Sequence, residues 1–336
     1  MTPFFLLTAA AALAVYGSHR IESLRRAEVQ ARRLGQYALK QRLGGGGMGE
    51  VFLADHLLLR RPCAVKLIRP ERTGDPKNLR RFEREVQMTA TLTHPNTVQI
   101  YDYGHAADGT FYYVMEYLPG LTLEELVRRD GPLPHARAVH FLRQICGALK
   151  EAHGRGLIHR DIKPGNLMIC ERGGIADVAK LLDFGLVLSP ERETDGEKLT
   201  QDGTVTGTPA YLSPEQAGGQ DKVDARSDIY SLGALAYFLL TGQPPFAGRS
   251  GVKMLAAHLY EEPQRLLPRR PDIPPDLEAV VLRCLAKDPE RRFPDVDSLD
   301  LALAGCGMEM EAECDGQAGR TPIWPRKSRG RSADGA

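Results

Sequence analysis

The chain has 336 residues, of which 42% are hydrophobic and 26% are charged, as in an ordinary globular protein of one large domain or two moderate ones. The formal net charge of +1 argues against a nucleic-acid binder whose affinity depends on overall charge. The cysteines form no CxxC pair and the histidines no HExxH or HxxxH spacing. We therefore expect no disulfide framework, no zinc site and no histidine-based metal site, and a reducing compartment is the simpler interpretation.

The first part of the chain contains an apolar stretch. Residues 3–16 are uncharged, but they are fewer than the roughly 20 residues that cross a bilayer comfortably. A cleaved signal peptide would export the domain, yet it normally has positive charge in front of its apolar stretch, and none is present here. The alternatives are a helix packed on the protein or a misassigned start. The arginines that follow favour a short membrane anchor over residues 1–17, with a basic juxtamembrane helix over 18–36 and the rest of the chain in the cytoplasm.

A glycine-rich stretch comes next and fits the pattern G-x-G-x-x-G-x-V through Gly44, Gly46, Gly49 and Val51. Glycines let the backbone approach phosphate oxygens without clashes of Cβ atoms, and their N–H groups can point at the phosphates. Residues 50–55 are strand-like rather than helical. The glycines are therefore expected in a β-hairpin, which disfavours a dinucleotide-binding Rossmann fold.

Lys66 stands inside an apolar strand predicted over residues 63–68. A buried lysine needs an anionic partner, although a lysine on an edge strand could instead extend its ammonium group into solvent. A helix predicted over residues 77–92 supplies two candidates. Glu85 lies beside the apolar stripe of this helix, whereas Glu83 points further from it. The sequence therefore predicts a pair of Lys66 with Glu85, with Glu83 as the competitor.

A buried strand is predicted within residues 111–120, and it ends in a Pro-Gly break that suits a hinge. The backbone around Glu116 and Leu118 could hydrogen-bond the edge of an adenine. Helices are then predicted to begin over residues 122–129 and to span residues 136–154.

The stretch HRDIKPGN, residues 159–166, carries three side chains suited to phosphate chemistry. Asp161 could orient a hydroxyl group and receive its proton, Lys163 could neutralise a phosphoryl oxygen, and Asn166 offers an amide oxygen to a metal ion. The Pro-Gly pair within it predicts a loop on a rigid scaffold.

Two short strands follow, over residues 167–170 and 178–182, with a turn at residues 172–174. A hairpin of this length would bring Asn166 and Asp183 to one end, where they could share a metal ion. Carboxylate and amide oxygens suit Mg²⁺. The alternative for Asp183 is an ordinary turn at the end of a strand.

The order of these motifs, followed by SPE and by a later aspartate and arginine, resembles that of the bacterial eukaryotic-type (Hanks-type) serine/threonine protein kinases. The likeness runs from about Tyr37 to about Leu303. It implies an α+β fold of two lobes, with a β-rich N-terminal lobe that has one main helix (37–117) and a helical C-terminal lobe (118–303). ATP would bind in the cleft. The basic residues 304–336 are expected to be a disordered tail.

The resemblance also implies the role of each matching residue. Asp161 would be the catalytic base, and Lys163 would steady the γ-phosphate. The residues expected to act in catalysis are Lys66, Asp161, Lys163, Asn166, Asp183 and Thr208, with Asn166 and Asp183 as the ligands of Mg²⁺ (or Mn²⁺). Those expected to contact ATP are Gly44, Gly46, Gly49, Val51, Ala64, Lys66, Glu85, Met115, Glu116, Leu118 and Met168. Structural roles are expected for Asp228, which would brace the catalytic loop, for the pair Glu215–Arg292, and for His159, packed beneath Phe184.

Protein hydroxyl groups of serine and threonine are the implied acceptors, because Lys163 and the segment around Thr208 resemble the serine/threonine type. Arg160 suggests control by phosphorylation of Thr200, Thr204 or Thr206, with self-association for autophosphorylation in trans. The resemblance implies protein substrates and no nucleic-acid partner, and the apolar residues 3–16 imply a possible membrane contact. A pseudokinase scaffold is one alternative, but such scaffolds usually lack one of five residues that are all present here: Lys66, Glu85, Asp161, Asn166 and Asp183. A small-molecule phosphotransferase is another, disfavoured by the peptide-binding segment that begins at Thr208.

Overall fold

A computed structural model describes residues 33–46, 49–68, 76–106, 108–184, 209–219 and 223–306 of the chain. The chain divides into two units. Unit 1 comprises Met1–Pro76 and Ile100–Tyr117, and unit 2 comprises Lys77–Gln99 and Leu118–Ala336.

Unit 1 is built on one antiparallel sheet of six strands in the order β1-β2-β3-β4-β6-β5. One face of this sheet buries an apolar cluster that includes Ala54, Cys63, Val65 and Val114. The strands are β1 (Arg33–Leu34), β2 (Tyr37–Gly46), β3 (Gly49–His56), β4 (Arg61–Ile68), β5 (Ile100–His105) and β6 (Phe111–Glu116).

The glycine-rich stretch forms the β2–β3 hairpin, with Gly46 opposite Gly49. The prediction of a hairpin in place of a helix is therefore confirmed. Gly49 has a steric reason to be glycine, because a Cβ atom there would lie 1.9 Å from the carbonyl oxygen of Leu67 on β4. At Gly44 a Cβ atom would meet nothing within 4 Å.

Unit 2 is mainly helical in its described part and carries one small antiparallel sheet in the order β7-β8-β9. Its core is a single cluster of buried apolar side chains contributed by several of these helices and by β8 and β9. The helices are α1 (Pro76–Ala90), α2 (Leu123–Asp130), α3 (His135–Gly154), α4 (Pro214–Ala217), α5 (Arg226–Thr241), α6 (Gly251–Tyr260), α7 (Pro275–Cys284) and α8 (Val296–Gly305). The strands are β7 (Gly120–Thr122), β8 (Leu167–Arg172) and β9 (Ile175–Leu181).

Local sequence explains where several of these elements begin and end. At α2, the hydroxyl of Thr122 accepts from the N–H of Glu125 and the Glu125 carboxylate accepts from the N–H of Thr122, a reciprocal capping box. The helix α5 is mostly apolar and is buried along almost its whole length, and it is capped at its C-terminal end by Gly242, whose φ is +77°. Capping residues therefore mark where these helices begin or end, and the apolar composition of α5 explains its burial.

The hairpin that the sequence predicts after residues 159–166 is also present. The strands β8 and β9 pair antiparallel, with Leu167 opposite Leu181 and Arg172 opposite Ile175. The two residues between them, Gly173 and Gly174, have φ values of +58° and +82°. Positive φ at both positions is what a two-residue hairpin turn of type I′ requires, and glycine adopts it without strain.

The segment around α1 groups with unit 2, whereas the sequence assigned it to the N-terminal lobe. Side chains of unit 2 hold the residues that follow this helix. The carboxylate of Glu151 accepts from the N–H groups of Thr93 and His94, and Asn96 donates to Gln144 and to the carbonyl of Ala179. These bonds explain why the segment associates with α3 and β9.

The predicted anchor over residues 1–17 lies outside the described residues, as do residues 18–32 of the predicted juxtamembrane helix and residues 307–336 of the predicted tail. The juxtamembrane prediction is wrong at its end, because Arg33–Leu34 form strand β1. The tail prediction is wrong at its start, because α8 continues to Gly305. Within the described part of the chain, no helix is both long and apolar enough to span a bilayer.

Candidate active site

The loop between α3 and β8 brings together three residues that the sequence singled out. The ammonium nitrogen of Lys163 lies 2.7 Å from Oδ2 of Asp161 and 3.0 Å from Oδ1. Asn166 donates from Nδ2 to the backbone oxygen of Asp161 at 2.8 Å and to its Oδ2 at 2.9 Å. A carboxylate, a cation and an amide therefore share one small region, as phosphate chemistry requires.

The orientation of Asn166 fits a metal ligand. Both acceptors near its Nδ2 are oxygens of Asp161, so the nitrogen must face them, and Oδ1 is the amide atom left to bind a cation. The N–H of Leu182 donates to the backbone oxygen of Asn166 at 2.9 Å, which ties the residue before Asp183 to Asn166. An amide oxygen and a carboxylate from this pair are hard ligands of the kind that Mg²⁺ binds.

The described residues contain no cluster of three or more His, Cys, Asp or Glu side chains that could hold a metal ion by themselves. Mg²⁺ usually binds one or two carboxylates together with waters and substrate phosphates. Residues Asn166 and Asp183 fit such a site.

Two non-glycine residues of the region have left-handed backbone conformations. The φ of Arg160 is +63° and that of Asp183 is +50°. Such conformations are uncommon for side-chain-bearing residues, and they persist where the surroundings hold them in place. At both positions the strained residue lies at or next to a predicted catalytic carboxylate.

Asp228, on α5, holds the backbone of the loop formed by residues 159–166, which we call the catalytic loop. Its carboxylate is fully buried and accepts from the N–H of His159 and of Arg160, each at 2.8 Å. The Nε2 atom of His153 on α3 lies 2.8 Å from the same carboxylate. The predicted bracing role of Asp228 is present, and His153 is a third partner that the sequence did not indicate.

His159 packs against Phe184, as the sequence predicts, with the ring centroids 4.8 Å apart. The ring also forms two polar contacts. Its Nε2 lies 2.8 Å from the carbonyl oxygen of Leu182, and its Nδ1 lies 3.2 Å from the N–H of Asp161. Because a carbonyl can only accept, Nε2 carries the proton and Nδ1 accepts from Asp161. The histidine therefore connects the backbone of Asp161 to that of the residue before Asp183.

The predicted pair of Glu215 and Arg292 is present and buried. The guanidinium of Arg292 donates to the two carboxylate oxygens of Glu215 at 2.7 and 2.8 Å, and Ser227 donates to the same carboxylate. Burial alone would raise the pKa of Glu215, but the hydrogen bonds from Arg292 and Ser227 outweigh it and lower that pKa below its ordinary value.

In unit 1, four of the residues expected to contact ATP share one face of the sheet. Val51 is directly opposite Lys66, and Ala64 is directly opposite Met115. Because side chains two residues apart on a strand point to the same face, Ala64 and Lys66 belong to that face together with their partners. Lys66 is only 6% exposed and lies on a strand inside the sheet, so it does not extend into solvent from an edge.

The remaining site residues divide between the units. Glu116 ends β6 in unit 1, while Glu85 on α1, Leu118 and Met168 on β8 belong to unit 2. Thr208, expected to act in catalysis, lies outside the described residues, and so do Thr200, Thr204 and Thr206, the three threonines proposed for phosphorylation. The predicted pairing of Lys66 with Glu85 stays a prediction.

One contact of the loop was missed from the sequence. Gln216 on α4 donates from Nε2 to the carbonyl oxygen of Arg160 at 2.8 Å. The pattern Ser213-x-x-Gln216 before a helix could have indicated a capping box, but it carries no sign of a bond to a distant loop.

Comparison with known proteins agrees with this geometry. The family model of the protein kinase domain matches residues 37–299. The chain is 44% identical over 282 residues to the serine/threonine-protein kinase PknB of Mycobacterium leprae, covering 82% of this chain and 44% of the relative. It is 40% identical over 276 residues to the serine/threonine-protein kinase pkn3 of Myxococcus xanthus, covering 82% and 50%. The chain thus spans half or less of the length of these relatives.

Among solved structures, the PknI kinase domain of Mycobacterium tuberculosis is similar with a TM-score of 0.64 and 29% sequence identity. The similarity covers 82% of this chain and 96% of that domain.

Proposed function

Because this chain belongs to the protein kinase domain family, we propose that it is a serine/threonine protein kinase, which transfers the γ-phosphate of ATP to hydroxyl groups of proteins. The observation that carries this proposal is the arrangement of Asp161, with Lys163 and Asn166 both within hydrogen-bonding distance of its carboxylate. The relatives' names support serine and threonine as the acceptors.

In the proposed reaction, Asp161 receives the proton of the acceptor hydroxyl while the hydroxyl oxygen bonds to the γ-phosphorus and the bond from phosphorus to the β–γ bridging oxygen breaks. ADP is the leaving group. Lys163 offsets negative charge on the transferred group, and its contact with Asp161 keeps both side chains in place.

Asn166, through Oδ1, and Asp183 would hold the divalent cation. When bound, Mg²⁺ or Mn²⁺ neutralises charge on the phosphate oxygens. The orientation of the Asn166 amide supports this assignment, because its nitrogen is already used by Asp161.

In unit 1, we assign Lys66 to the α- and β-phosphates and the glycines of the β2–β3 hairpin to the phosphate cover. Val51, Ala64 and Met115 would contact adenine, and their common face of the sheet supports this role. We also assign nucleotide contacts to the backbone at Glu116 in unit 1, and to Met168 and the backbone at Leu118 in unit 2.

A phosphate-transfer assay with Mg-ATP and a generic basic protein tests the proposal. The wild type should label the protein on serine and threonine, and Asp161→Asn should remove most of this activity. Lys66→Met and Asp183→Ala should each lower kcat by several orders of magnitude, because the chemistry depends on positioning and charge. Transfer no greater than that of Asp161→Asn, in dephosphorylated and autophosphorylated samples alike, would contradict the proposal.

We also propose that activity is controlled by autophosphorylation in trans at Thr200, Thr204 or Thr206, with the phosphate pairing with Arg160. Mass spectrometry of protein incubated with Mg-ATP should find phosphate on one of these threonines. The initial rate of autophosphorylation per molecule should rise with protein concentration, because two copies must meet. Phosphate found only elsewhere would contradict this regulation.

Finally, we propose that the kinase unit is cytoplasmic and tethered to the inner face of the membrane by residues 3–16. The motivation is the charge asymmetry around this stretch. Full-length protein expressed in a bacterium should remain in the membrane fraction after a carbonate wash. A protein that washes off would contradict the tether and leave the proposed activity unaffected.

A further inference from the structure

We propose that Gln216 is a positioning residue for Asp161, acting through the backbone of the catalytic loop. The proposal rests on the kinase function proposed above, because its effect is measured as phosphate transfer. Gln216 belongs to the short helix α4, whereas Asp161 lies in the loop before β8.

Both ends of the Gln216 side chain are used. Its Oε1 accepts from the N–H and from the hydroxyl of Ser213, each at 3.1 Å, which completes the capping box of α4. Its Nε2 donates to the carbonyl oxygen of Arg160 at 2.8 Å. One amide therefore joins the start of α4 to the residue immediately before Asp161.

Capping by itself does not require the amide nitrogen. A glutamate serves equally well in a capping box, because only an oxygen that accepts hydrogen bonds is needed. The chain has such a box at α2, where the third helical residue is Glu125. A glutamate at position 216 could accept from Ser213, but its ionised carboxylate could not donate to the Arg160 carbonyl. The nitrogen of Gln216 therefore has a role that capping does not explain.

This nitrogen acts on the peptide bond that leads into Asp161. The carbonyl of Arg160 is held by Gln216, and the N–H of Asp161 is held by Nδ1 of His159 at 3.2 Å. The N–H of Arg160 is held by Asp228. Arg160 itself has a φ of +63°, a conformation that its surroundings must maintain. Three side chains thus fix the backbone at the point that determines where the Asp161 carboxylate lies.

Loss of the Gln216 donor should let this peptide rotate and displace the Asp161 carboxylate. A displacement of about 1 Å can slow a reaction by about a hundredfold, because the reacting groups are no longer aligned. The effect should fall on kcat, since Gln216 holds the backbone before the catalytic base. The KM for ATP should change little.

Steady-state kinetics of Gln216→Glu test this directly, because the variant keeps the capping oxygen and removes the donor. We expect kcat to fall by about tenfold to a hundredfold, with the KM for ATP within about threefold of the wild type. The matched control is Glu125→Gln, the reverse exchange in the capping box of α2, which should leave kcat within about threefold.

A second pair of variants separates donation from capping. Gln216→Lys and Gln216→Met have side chains of similar length and both lack the capping oxygen, but only lysine supplies an N–H donor. The lysine variant should have the higher kcat by about threefold or more, a difference of the size expected when a single hydrogen-bond donor is restored.

The outcomes are distinguishable. An inactive wild type would contradict the proposed kinase function itself. If the wild type is active and Gln216→Glu has the same kcat, the positioning role is wrong. It is also wrong if Glu125→Gln lowers kcat as much as Gln216→Glu does. If melting temperatures show that Gln216→Glu does not fold, the comparison of Gln216→Lys with Gln216→Met tests the proposal instead. Equal kcat values for these two variants would overturn the positioning role.

Discussion

At the scale of single residues, the catalytic loop depends on one buried carboxylate. Asp228 accepts from the N–H of His159, from the N–H of Arg160 and from His153. Asp228→Asn replaces one accepting oxygen by an NH₂ group, which is itself a donor and would point at another donor. The one oxygen that remains cannot accept from all three partners. We expect the free energy of unfolding to fall by roughly 2–3 kcal/mol, because hydrogen bonds to a buried charge are among the stronger ones. Urea denaturation measures this loss.

The control for this prediction is an exposed carboxylate that is also paired with a cation. Asp272 is bonded to Arg270 on the surface, and Asp272→Asn should change the stability by less than about 0.5 kcal/mol. An equally small change in Asp228→Asn would show that the loop does not rely on this brace.

Single residues with a fixed chemical task were the easiest to predict from the sequence. Asp161, Lys163 and Asn166 are recognisable because their types and spacing suit one chemistry, and the structure brings them together. His153 and Gln216 were not recognisable. His153 bonds to Asp228 on α5 across 75 positions of sequence, and Gln216 bonds to Arg160 in the loop across 56 positions. No local pattern encodes a contact of that range.

At the scale of elements, the β2–β3 hairpin distinguishes two glycines with the same expected role. In Gly49→Ala the new methyl group would lie 1.9 Å from the Leu67 carbonyl oxygen, so the backbone of the sheet must shift. Overpacking of this kind costs roughly 1–3 kcal/mol. We expect Gly49→Ala to lower the melting temperature measurably and to raise the KM for ATP.

Gly44→Ala is the matched comparison, because a Cβ atom there meets nothing within 4 Å. Its melting temperature should equal that of the wild type, and any rise in the KM for ATP would then report the proposed phosphate contact alone. Equal melting temperatures for the two variants would contradict the steric account.

The pair of Glu215 on α4 and Arg292, the residue that follows Pro289–Arg291, predicts a dependence of stability on pH. An unfolded glutamate has a pKa of about 4.3, and the folded-state pKa of Glu215 is lower. Ionised Glu215 therefore stabilises the fold above about pH 4.3, and this contribution is lost as the pH falls through the lowered folded-state pKa.

In Glu215→Gln the buried Arg292 loses its counter-charge, which should destabilise the protein by roughly 3–5 kcal/mol at pH 7. The difference from the wild type in urea midpoint, measured from pH 5 to pH 3, should shrink as the pH falls below about 4.3, because the ionised wild-type carboxylate then stabilises the fold progressively less. The surface variant Glu290→Gln should show no comparable effect. A difference that stays constant across this range would contradict the pKa assignment.

Elements with a strong local signal were also predictable. The hairpin turn at Gly173 and Gly174 follows from two residues that tolerate positive φ, and α2 begins where its capping residues place it. The grouping of α1 with unit 2 was not predictable, because the bonds that produce it join Thr93 and His94 to Glu151, far along the chain.

At the scale of the whole molecule, the comparisons confirm the predicted α+β protein kinase fold. The prediction succeeded because several motifs occur in one order, each with a separate physical requirement. A family likeness gives the arrangement of elements, whereas the exact extent of a helix must be read from the structure. The sequence bounded the kinase domain at residue 303, and in the structure α8 continues to Gly305 with Cys306 buried.

The burial of α8 predicts how the described part of the chain responds to shortening. A chain that ends after Cys306 keeps all of α8 and is the reference. A chain that ends after Asp295 loses α8, which buries Val296, Leu299 and Leu303 and forms ion pairs with α3. Burial of three such side chains stabilises by roughly 5 kcal/mol or more, comparable to the whole stability of a typical domain. We expect the shorter chain to be unfolded at 37 °C, and a cooperative melting transition above that temperature would contradict the assignment of α8 to the core.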